Sequence, residues 1–257
     1  MKLTLKIACS AILAMSAHSA SAVVINTTNN ATAMANAIAG EGVKISNAVF
    51  SGASTSAAAT FTNGGNIGFD KGILLSTGDA GCAVGPNSSD DCTGEGTTTS
   101  LKFDFESDSG NVFFRYVFAS EEYNEYVGTE FNDVFELRLN GVNIALLPGA
   151  GGVVSINNVN NDKNSAYFRD NTAGIFNIGY DGLTTVLTAQ ATGLTGTNTF
   201  EFFIRDNGDD ILDSGVFIEA GTFADVPPPV NVPEPGSLAL LGLGLVGLTR
   251  MSRRKAQ

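Results

Sequence analysis

The sequence predicts an all-β protein whose main domain is a β-sandwich or jelly roll, with one short N-terminal helix and a C-terminal apolar helix. Two observations favour this class. After residue 40, short apolar or alternating segments follow one another, and turn-forming residues separate them. Glycine is also abundant, at 30 of 257 residues. The span from residue 23 to residue 225 is long enough for one all-β domain of the larger kind.

The first 22 residues have the three parts of a secretory signal peptide. Lys2 and Lys6 give the positive start, an apolar stretch follows at residues 7–15, and residues 20–22 (Ala-Ser-Ala) offer small side chains for cleavage. We therefore expect the chain to be exported and the mature protein to begin at Val23.

One helix is predicted after that site, over residues 31–39. Asn30 or Thr32 is suited to cap its N-terminus, and Gly40 is suited to end it. The rest of the domain is expected to form strands. This arrangement makes the helix a short addition to a β fold.

The strongest strand signals lie in the middle of the chain. Residues 112–118 (VFFRYVF) are aromatic and β-branched, which indicates a core strand. Residues 134–140 alternate apolar and polar side chains, and the pair Asn140-Gly141 is typical of a two-residue turn. We therefore predict a β-hairpin whose second strand covers residues 142–147.

Three further segments complete the strand prediction. Residues 101–105 form one strand, and the threonine run at residues 97–99 is expected to be a polar loop that leads into it. Between residues 200 and 205 the apolar Phe200, Phe202 and Ile204 alternate with Glu201 and Arg205, and residues 216–218 are apolar throughout. These two segments predict the last strands of the domain.

The charge balance excludes several classes of function. Residues 23–225 contain 8 Lys and Arg against 25 Asp and Glu, a net charge near −17. Nucleic acid is therefore not expected as a partner, because phosphate binding requires clustered basic residues. The only histidine, His18, lies in the predicted signal peptide. A mature chain without histidine has no Ser-His-Asp or Cys-His mechanism.

Two cysteines remain once the signal peptide with Cys9 is removed. Cys82 and Cys92 are separated by nine residues that include glycine and proline. In an oxidising compartment they are expected to form one disulfide, because the spacing and the lack of histidine disfavour a metal site.

The C-terminus has the organisation of a linker followed by a sorting segment. Residues 226–233 (VPPPVNVP) favour extended polyproline geometry and mark the end of the domain. Residues 234–257 then contain a short apolar run and a basic cluster with Arg253 and Arg254. The apolar run is shorter than the roughly 20 residues of a comfortable membrane span, so it makes a poor permanent anchor.

The triplet Pro233-Glu234-Pro235, the apolar helix and the arginine cluster, in this order, resemble the PEP-CTERM sorting signal. This resemblance implies processing by an exosortase in a Gram-negative bacterium, with the chain held only transiently at the inner membrane. We expect the tail to be removed near residues 233–235.

A second resemblance covers most of residues 24–223. The blocks that carry it are GILLSTG at 72–78, FFRYVFASEEYNEYVGTEFNDVFELRLNG at 113–141, VSINNVN at 154–160, YDGLTTVLTA at 180–189 and IRDNGDDILDSGVFIEAGTF at 204–223. In this order they resemble the choice-of-anchor L domain. The resemblance implies a protein of the cell surface or extracellular matrix and implies no reaction.

The expected function is therefore a structural or adhesive role in a biofilm matrix, through contacts with polysaccharide or other surface proteins, and not an enzymatic one. Two alternatives remain open. A carboxylate-based glycoside hydrolase would draw on four glutamates of one loop, Glu121, Glu122, Glu125 and Glu130. An ice-binding protein would use the short threonine run at residues 97–99.

The last prediction is a calcium site shared by two acidic loops. One loop covers residues 121–133 and the other residues 206–213, and each joins two predicted strands. Ca²⁺ takes about 6 to 8 oxygen ligands, and neither loop alone has EF-hand spacing. Repulsion among the carboxylates must be offset by a cation or by Arg115 and Arg205. The predicted ligands are Glu122, Asp133, Asp206 and Asp213.

Overall fold

The structure is a computed structural model that describes residues 22–52, 54–87, 98–207 and 212–229. The predicted signal peptide up to residue 21, Cys92 and the tail from residue 230 onward lie outside these ranges. The described residues up to Pro227 belong to one compact unit.

The domain is mostly β, as predicted, with one α-helix in the described part of the chain. The elements in chain order are β1 (Val24–Thr27), α1 (Ala31–Ile38), β2 (Val43–Ser51), β3 (Ala58–Thr62), β4 (Gly72–Ser76), β5 (Thr98–Ser107), β6 (Val112–Ser120), β7 (Val134–Leu139), β8 (Val142–Asn143), β9 (Phe168–Asp170), β10 (Gly182–Thr184), β11 (Leu187–Ala191), β12 (Asn198–Arg205) and β13 (Ser214–Glu219).

The strands form two antiparallel sheets. The large sheet has eight strands in the order β1-β3-β4-β13-β6-β10-β9, and β11 also pairs with β6. The small sheet has five strands in the order β2-β5-β12-β7-β8. Their apolar faces share one buried cluster, so the arrangement is a sandwich.

Helix α1 has the predicted position and cap. The side chain of Asn30 accepts a hydrogen bond from the backbone N–H of Ala33 at 3.0 Å, so Asn30 and not Thr32 is the N-cap. Beyond the helix, a Cβ on Gly40 would lie 2.3 Å from the carbonyl oxygen of Gly221, which leaves room only for glycine. The helix buries Met34 and Ile38 in the cluster between the sheets.

The predicted hairpin is present, but its second strand is shorter than expected. Asn140 and Gly141 both have positive φ, at 49° and 84°, as the tight turn requires. Strand β8 covers only Val142–Asn143, and the predicted extent of 142–147 is wrong. The side-chain oxygen of Asn143 accepts from the N–H groups of Leu137 and Ala145, and these contacts end the regular ladder.

The threonine run is also placed differently from its prediction as a loop. Thr98 and Thr99 begin strand β5, and Thr99 is completely buried. Thr97 lies outside the described residues. Two threonines that alternate across a strand point to opposite faces, so they do not form the exposed ladder that an ice-binding face would use.

Phenylalanine dominates the core between the sheets. Phe200 stacks on Phe103, with ring centroids 5.8 Å apart, and meets Phe114 and Phe223 edge to face at 5.3 and 5.1 Å. These rings come from both sheets and from the segment after β13. Offset and edge-to-face pairs are the favourable ring geometries, so these contacts add to the stabilisation that burial of the apolar rings provides.

A second buried cluster covers the outer face of the large sheet. Leu74, Val117 and Phe217 point away from the small sheet and are fully buried. Loop residues Ile67 and Tyr180 pack over them. Strands β4 and β13 and the second half of β6 (residues 116–120) are therefore largely buried on both faces, which explains their continuous apolar runs, whereas β12 alternates in burial.

Candidate functional site

Two connections cross between the sheets at the same end of the sandwich. One runs from β6 in the large sheet to β7 in the small sheet, and the other returns from β12 to β13. Arg205 pairs with Val134, and Ser214 pairs with Ser120. This register places residue 206 beside residue 133 and residue 213 beside residue 121, so the two acidic loops meet as the sequence predicts.

Five carboxylic side chains are buried at this end, which we call the acidic end. Their exposed fractions do not exceed 8%. Potential ligand oxygens of Glu122, Asp133 and Asp206 all lie within 4.8 Å of one another. The acidic end consists of Glu121, Glu122, Asp133, Asp206 and Asp213. Three of the four predicted calcium ligands are thus brought together.

Hydrogen bonds hold the two loops against each other. The N–H of Asn207 donates to the Asp133 carboxylate at 3.0 Å, and the N–H of Asn132 donates to the carbonyl of Asn207 at 3.3 Å. The N–H of Glu121 donates to the carbonyl of Asp213 at 3.1 Å. The loops therefore form a connected unit, and the convergence of the carboxylates does not depend on one contact.

Asp213, the fourth predicted ligand, lies outside the group of three. It is 2% exposed, and its Oδ1 accepts a weak hydrogen bond of 3.5 Å from the Thr77 hydroxyl. A Cβ on Gly78 would lie 2.2 Å from the same carboxylate oxygen, so glycine is needed there. Among the described residues, Oδ2 of Asp213 has no hydrogen-bond partner.

The electrostatics of Asp213 differ from those of an ordinary carboxyl group. Burial raises its pKa to about 7, and the negative charges of Asp133 and Asp79 act in the same direction. Hydrogen bonds from the backbone of Asp79 and from Thr77 oppose part of this rise. Asp133, one of the group of three, is therefore among the charges that act on Asp213.

Tyrosines border the acidic end and respond to its charge. Burial, and then the charge of Glu122, raise the pKa of Tyr123 well above its usual value. Burial raises the pKa of Tyr180 as well, and the charges of Asp213, Glu121 and Asp79 add to it. Both phenols therefore stay protonated, and neither serves as a base at neutral pH.

The two arginines expected to offset the acidic loops make other contacts. Arg115 forms an ion pair with Glu219 and donates to its Oε1 at 2.6 Å. Arg205 is exposed and donates to the side chain of Asn207 at 3.3 Å. Arg115 and Glu219 lie in the neighbouring strands β6 and β13, so this pair has its own role within the large sheet.

The four glutamates of the hydrolase alternative are divided between two environments. Glu121 and Glu122 are buried, whereas Glu125 and Glu130 are exposed. Tyr123 packs against Phe168 at 4.7 Å, and Tyr126 packs edge to face on Phe131 at 5.4 Å. Both tyrosine rings therefore pack against phenylalanines of the protein, and these contacts favour a role in holding the loop over a role as a stacking platform for sugar.

Cys82 lies in a short 3₁₀ helix, Ala80–Ala83, and is 7% exposed. Its predicted partner Cys92 lies outside the described residues, and so do the sorting-signal residues Pro233, Glu234, Pro235, Arg253 and Arg254. The disulfide and the removal of the tail therefore stay predictions.

Sequence reasoning missed the residues that support the carboxylates from a distance. Asp79 and Thr77 follow β4, far from both acidic loops in sequence, yet they contact or influence Asp213. Asn157 reaches the first loop, where its amide donates to the carbonyl of Thr129 at 2.8 Å. No pattern in the sequence pairs these positions, because the sheet register alone brings them together.

These features define an acidic, all-β domain of the sandwich type with a carboxylate group at one end. The family model of the choice-of-anchor L domain matches residues 22–224, most of the chain. The chain belongs to the choice-of-anchor L family.

A second family model, the PEP-CTERM protein-sorting motif, matches residues 231–255. This motif implies export and recognition by an exosortase in a Gram-negative bacterium, so the chain is an exported, surface-sorted protein. No curated protein and no solved structure matches the chain. Within the ranges that the structure describes, no helix has the length and apolar character to cross a membrane.

Proposed function

We propose that the protein is a structural or adhesive component of the biofilm matrix or the cell surface. The observation that carries the proposal is the presence, on one chain, of a choice-of-anchor L domain and a PEP-CTERM motif. A protein that is exported and sorted in this way acts where its neighbours are extracellular polysaccharide and other surface proteins. The β domain is the part that makes those contacts.

The distribution of carboxylates supports a binding role over hydrolysis. A glycosidase needs two carboxyl groups that both reach the substrate. Glu122, Asp133 and Asp206 are 1%, 0% and 4% exposed, so a sugar chain at the protein surface does not reach their carboxylate oxygens. Glu125 and Glu130 are exposed but lie on the outside of the loop. We therefore propose that the domain has no hydrolytic activity.

The proposal is tested with a deletion strain that is complemented by the wild-type gene or by a sorting variant. The variant replaces residues 233–235 (Pro-Glu-Pro) by three alanines and leaves the β domain unchanged. We expect the deletion to weaken matrix cohesion, the wild type to restore it, and the variant to fail because the protein is not sorted. Mass spectrometry of the released wild-type protein should show that Arg253 and Arg254 are lost.

The opposite outcome is equally measurable. Normal cohesion in the deletion strain, together with loss of a polysaccharide-degrading activity from the medium, would establish the hydrolase alternative. The variants Glu122→Gln and Glu125→Gln would then show whether the buried or the exposed glutamate supports that activity.

A further inference from the structure

We propose that the acidic end binds one divalent cation of the calcium type, which joins the two sheets of the sandwich. Glu122 follows β6 and Asp213 precedes β13 in the large sheet, whereas Asp133 precedes β7 and Asp206 follows β12 in the small sheet. An ion shared by these groups therefore connects both crossings. The proposal is independent of the adhesive role proposed above.

The distances suit a single ion. Oxygens bound to one Ca²⁺ at about 2.3–2.6 Å lie at most about 5 Å apart on opposite sides of it. The oxygens of Glu122, Asp133 and Asp206 all fall within 4.8 Å of one another. One ion placed among the three oxygens can thus reach all of them.

Asp213 provides a second observation that points to a ligand. The residue is buried, with an exposed fraction of 2%. Within the described residues its Oδ2 has no hydrogen-bond partner, although the carboxylate accepts a long hydrogen bond of 3.5 Å from Thr77 at Oδ1 and another from the backbone of Asp79. Buried carboxylates are normally paired or bound to metal, so the open Oδ2 of Asp213 is suited to complete the ligand set.

The chemistry of the donors selects the kind of ion. All four groups are carboxylates, and hard oxygen donors suit Ca²⁺ and Mg²⁺ over Zn²⁺ or copper. Mg²⁺ usually retains several of its waters, whereas Ca²⁺ accepts an irregular shell of carboxylate and carbonyl oxygens. A site whose three central ligands are at most 4% exposed has little room for retained water, which favours Ca²⁺.

The proposal is tested by thermal unfolding of the purified chain in EGTA and in Ca²⁺. A ligand that binds only the native state raises the midpoint, and at about 100 times the Kd the rise is about 5–10 °C for a domain of this size. Equilibrium dialysis should find one bound Ca²⁺ per chain. The same concentration of Mg²⁺ should give a smaller rise.

Asp206→Asn keeps the shape of the side chain and removes its charge. We expect this variant to melt at or above the wild-type midpoint in EGTA, because repulsion falls, and to lose most of the rise with Ca²⁺. Asp162→Asn makes the same change at an exposed position outside the acidic end and should retain the full rise.

Two results would overturn the proposal. An unchanged wild-type midpoint together with no bound Ca²⁺ in dialysis would mean that no calcium ion holds these carboxylates together. An equal rise with Mg²⁺ would reject the assignment to calcium. Both measurements use the wild-type chain, so they decide the matter even if Asp206→Asn does not fold.

Discussion

The phenylalanine core and the acidic end are both buried, but opposite physical effects act on them. Burial of Phe200, Phe103 and Phe223 stabilises the folded state, because apolar surface is removed from water. Glu122, Asp133 and Asp206 lose hydration when they are buried at the end of the same sandwich. The difference shows that the core stabilises the fold by itself, whereas the acidic end requires compensation from protons, hydrogen bonds or an ion.

The largest effect is expected in the core. Phe200→Ala should lower the free energy of unfolding by about 3–5 kcal/mol, because it removes a ring that contacts several others and leaves a cavity. Phe203→Ala is the matched control, since Phe203 lies on the outer face under Arg138, whose guanidinium carbon is 3.7 Å from the ring centroid. It should cost about 1 kcal/mol. Urea denaturation of both variants measures the difference, and equal losses would contradict this picture of the core.

The next largest effect is expected for the largely buried ion pair between Glu219 and Arg115. Glu219→Gln removes the charge that faces Arg115, where both side chains are only 13–15% exposed. We expect a loss of about 1.5–3 kcal/mol, the range for a hydrogen bond to a charged group. Glu201→Gln changes the more exposed contact to Arg138 and should cost less than about 1 kcal/mol. Thermal unfolding at neutral pH compares the two, and a larger loss for Glu201→Gln would reverse the argument.

The predicted disulfide between Cys82 and Cys92 is expected to contribute to the stability of the domain. If Cys82 and Cys92 are joined, the loop of nine intervening residues should stabilise the protein by about 2–3 kcal/mol without strain, and less with it. Reducing agent should then lower the unfolding midpoint of the wild type and leave Cys92→Ser unaffected. Labelling of both thiols in the native, non-reduced protein would refute the bond.

The smallest effect concerns a carboxylate that remains in contact with water. Hydrogen bonds from Asn47 and Thr199 hold the pKa of Asp104 below its usual value of 3.8. A lowered pKa means that Asp104 adds stability above pH 3.8 and that this stability is lost as the pH falls through the folded-state pKa. An NMR titration should show a higher pKa for Asp104 in Asn47→Ala, and an unchanged value would show that the hydrogen bond has no effect.

The sequence predicted the local elements because the signals for them are local. Asn30 caps α1, and Asn140-Gly141 forms the turn between β7 and β8. The burial of side chains alternates along β12, because one face of the strand meets the core and the other meets water. The strand after the turn was predicted too long, because the side chain of Asn143 replaces the ladder with its own hydrogen bonds. A side chain that competes with the backbone leaves no mark in an apolar pattern.

The candidate site was predicted in part. The two acidic loops are visible in the sequence, and the expectation that they meet is satisfied by Glu122, Asp133 and Asp206. The roles of Asp79 and Thr77 were not predicted, because both residues follow β4 and reach Asp213 only through the pairing of β4 with β13. The ion pair of Arg115 with Glu219 was not predicted either, because strand pairing brings these two residues together.

By itself the sequence determined the segments of β5 to β7, β12 and β13, the helix α1 and the two family resemblances, since each depends on residues that are neighbours along the chain. It did not give bounds for β1 to β4 or for β9 to β11. Only the tertiary structure decided that the β6–β7 and β12–β13 crossings lie at one end of the sandwich and that their carboxylates share one buried space. The physical reason is strand register. The pairs Arg205–Val134 and Ser214–Ser120 are fixed by which faces bury their apolar side chains, and a shift of one residue would turn those faces to solvent.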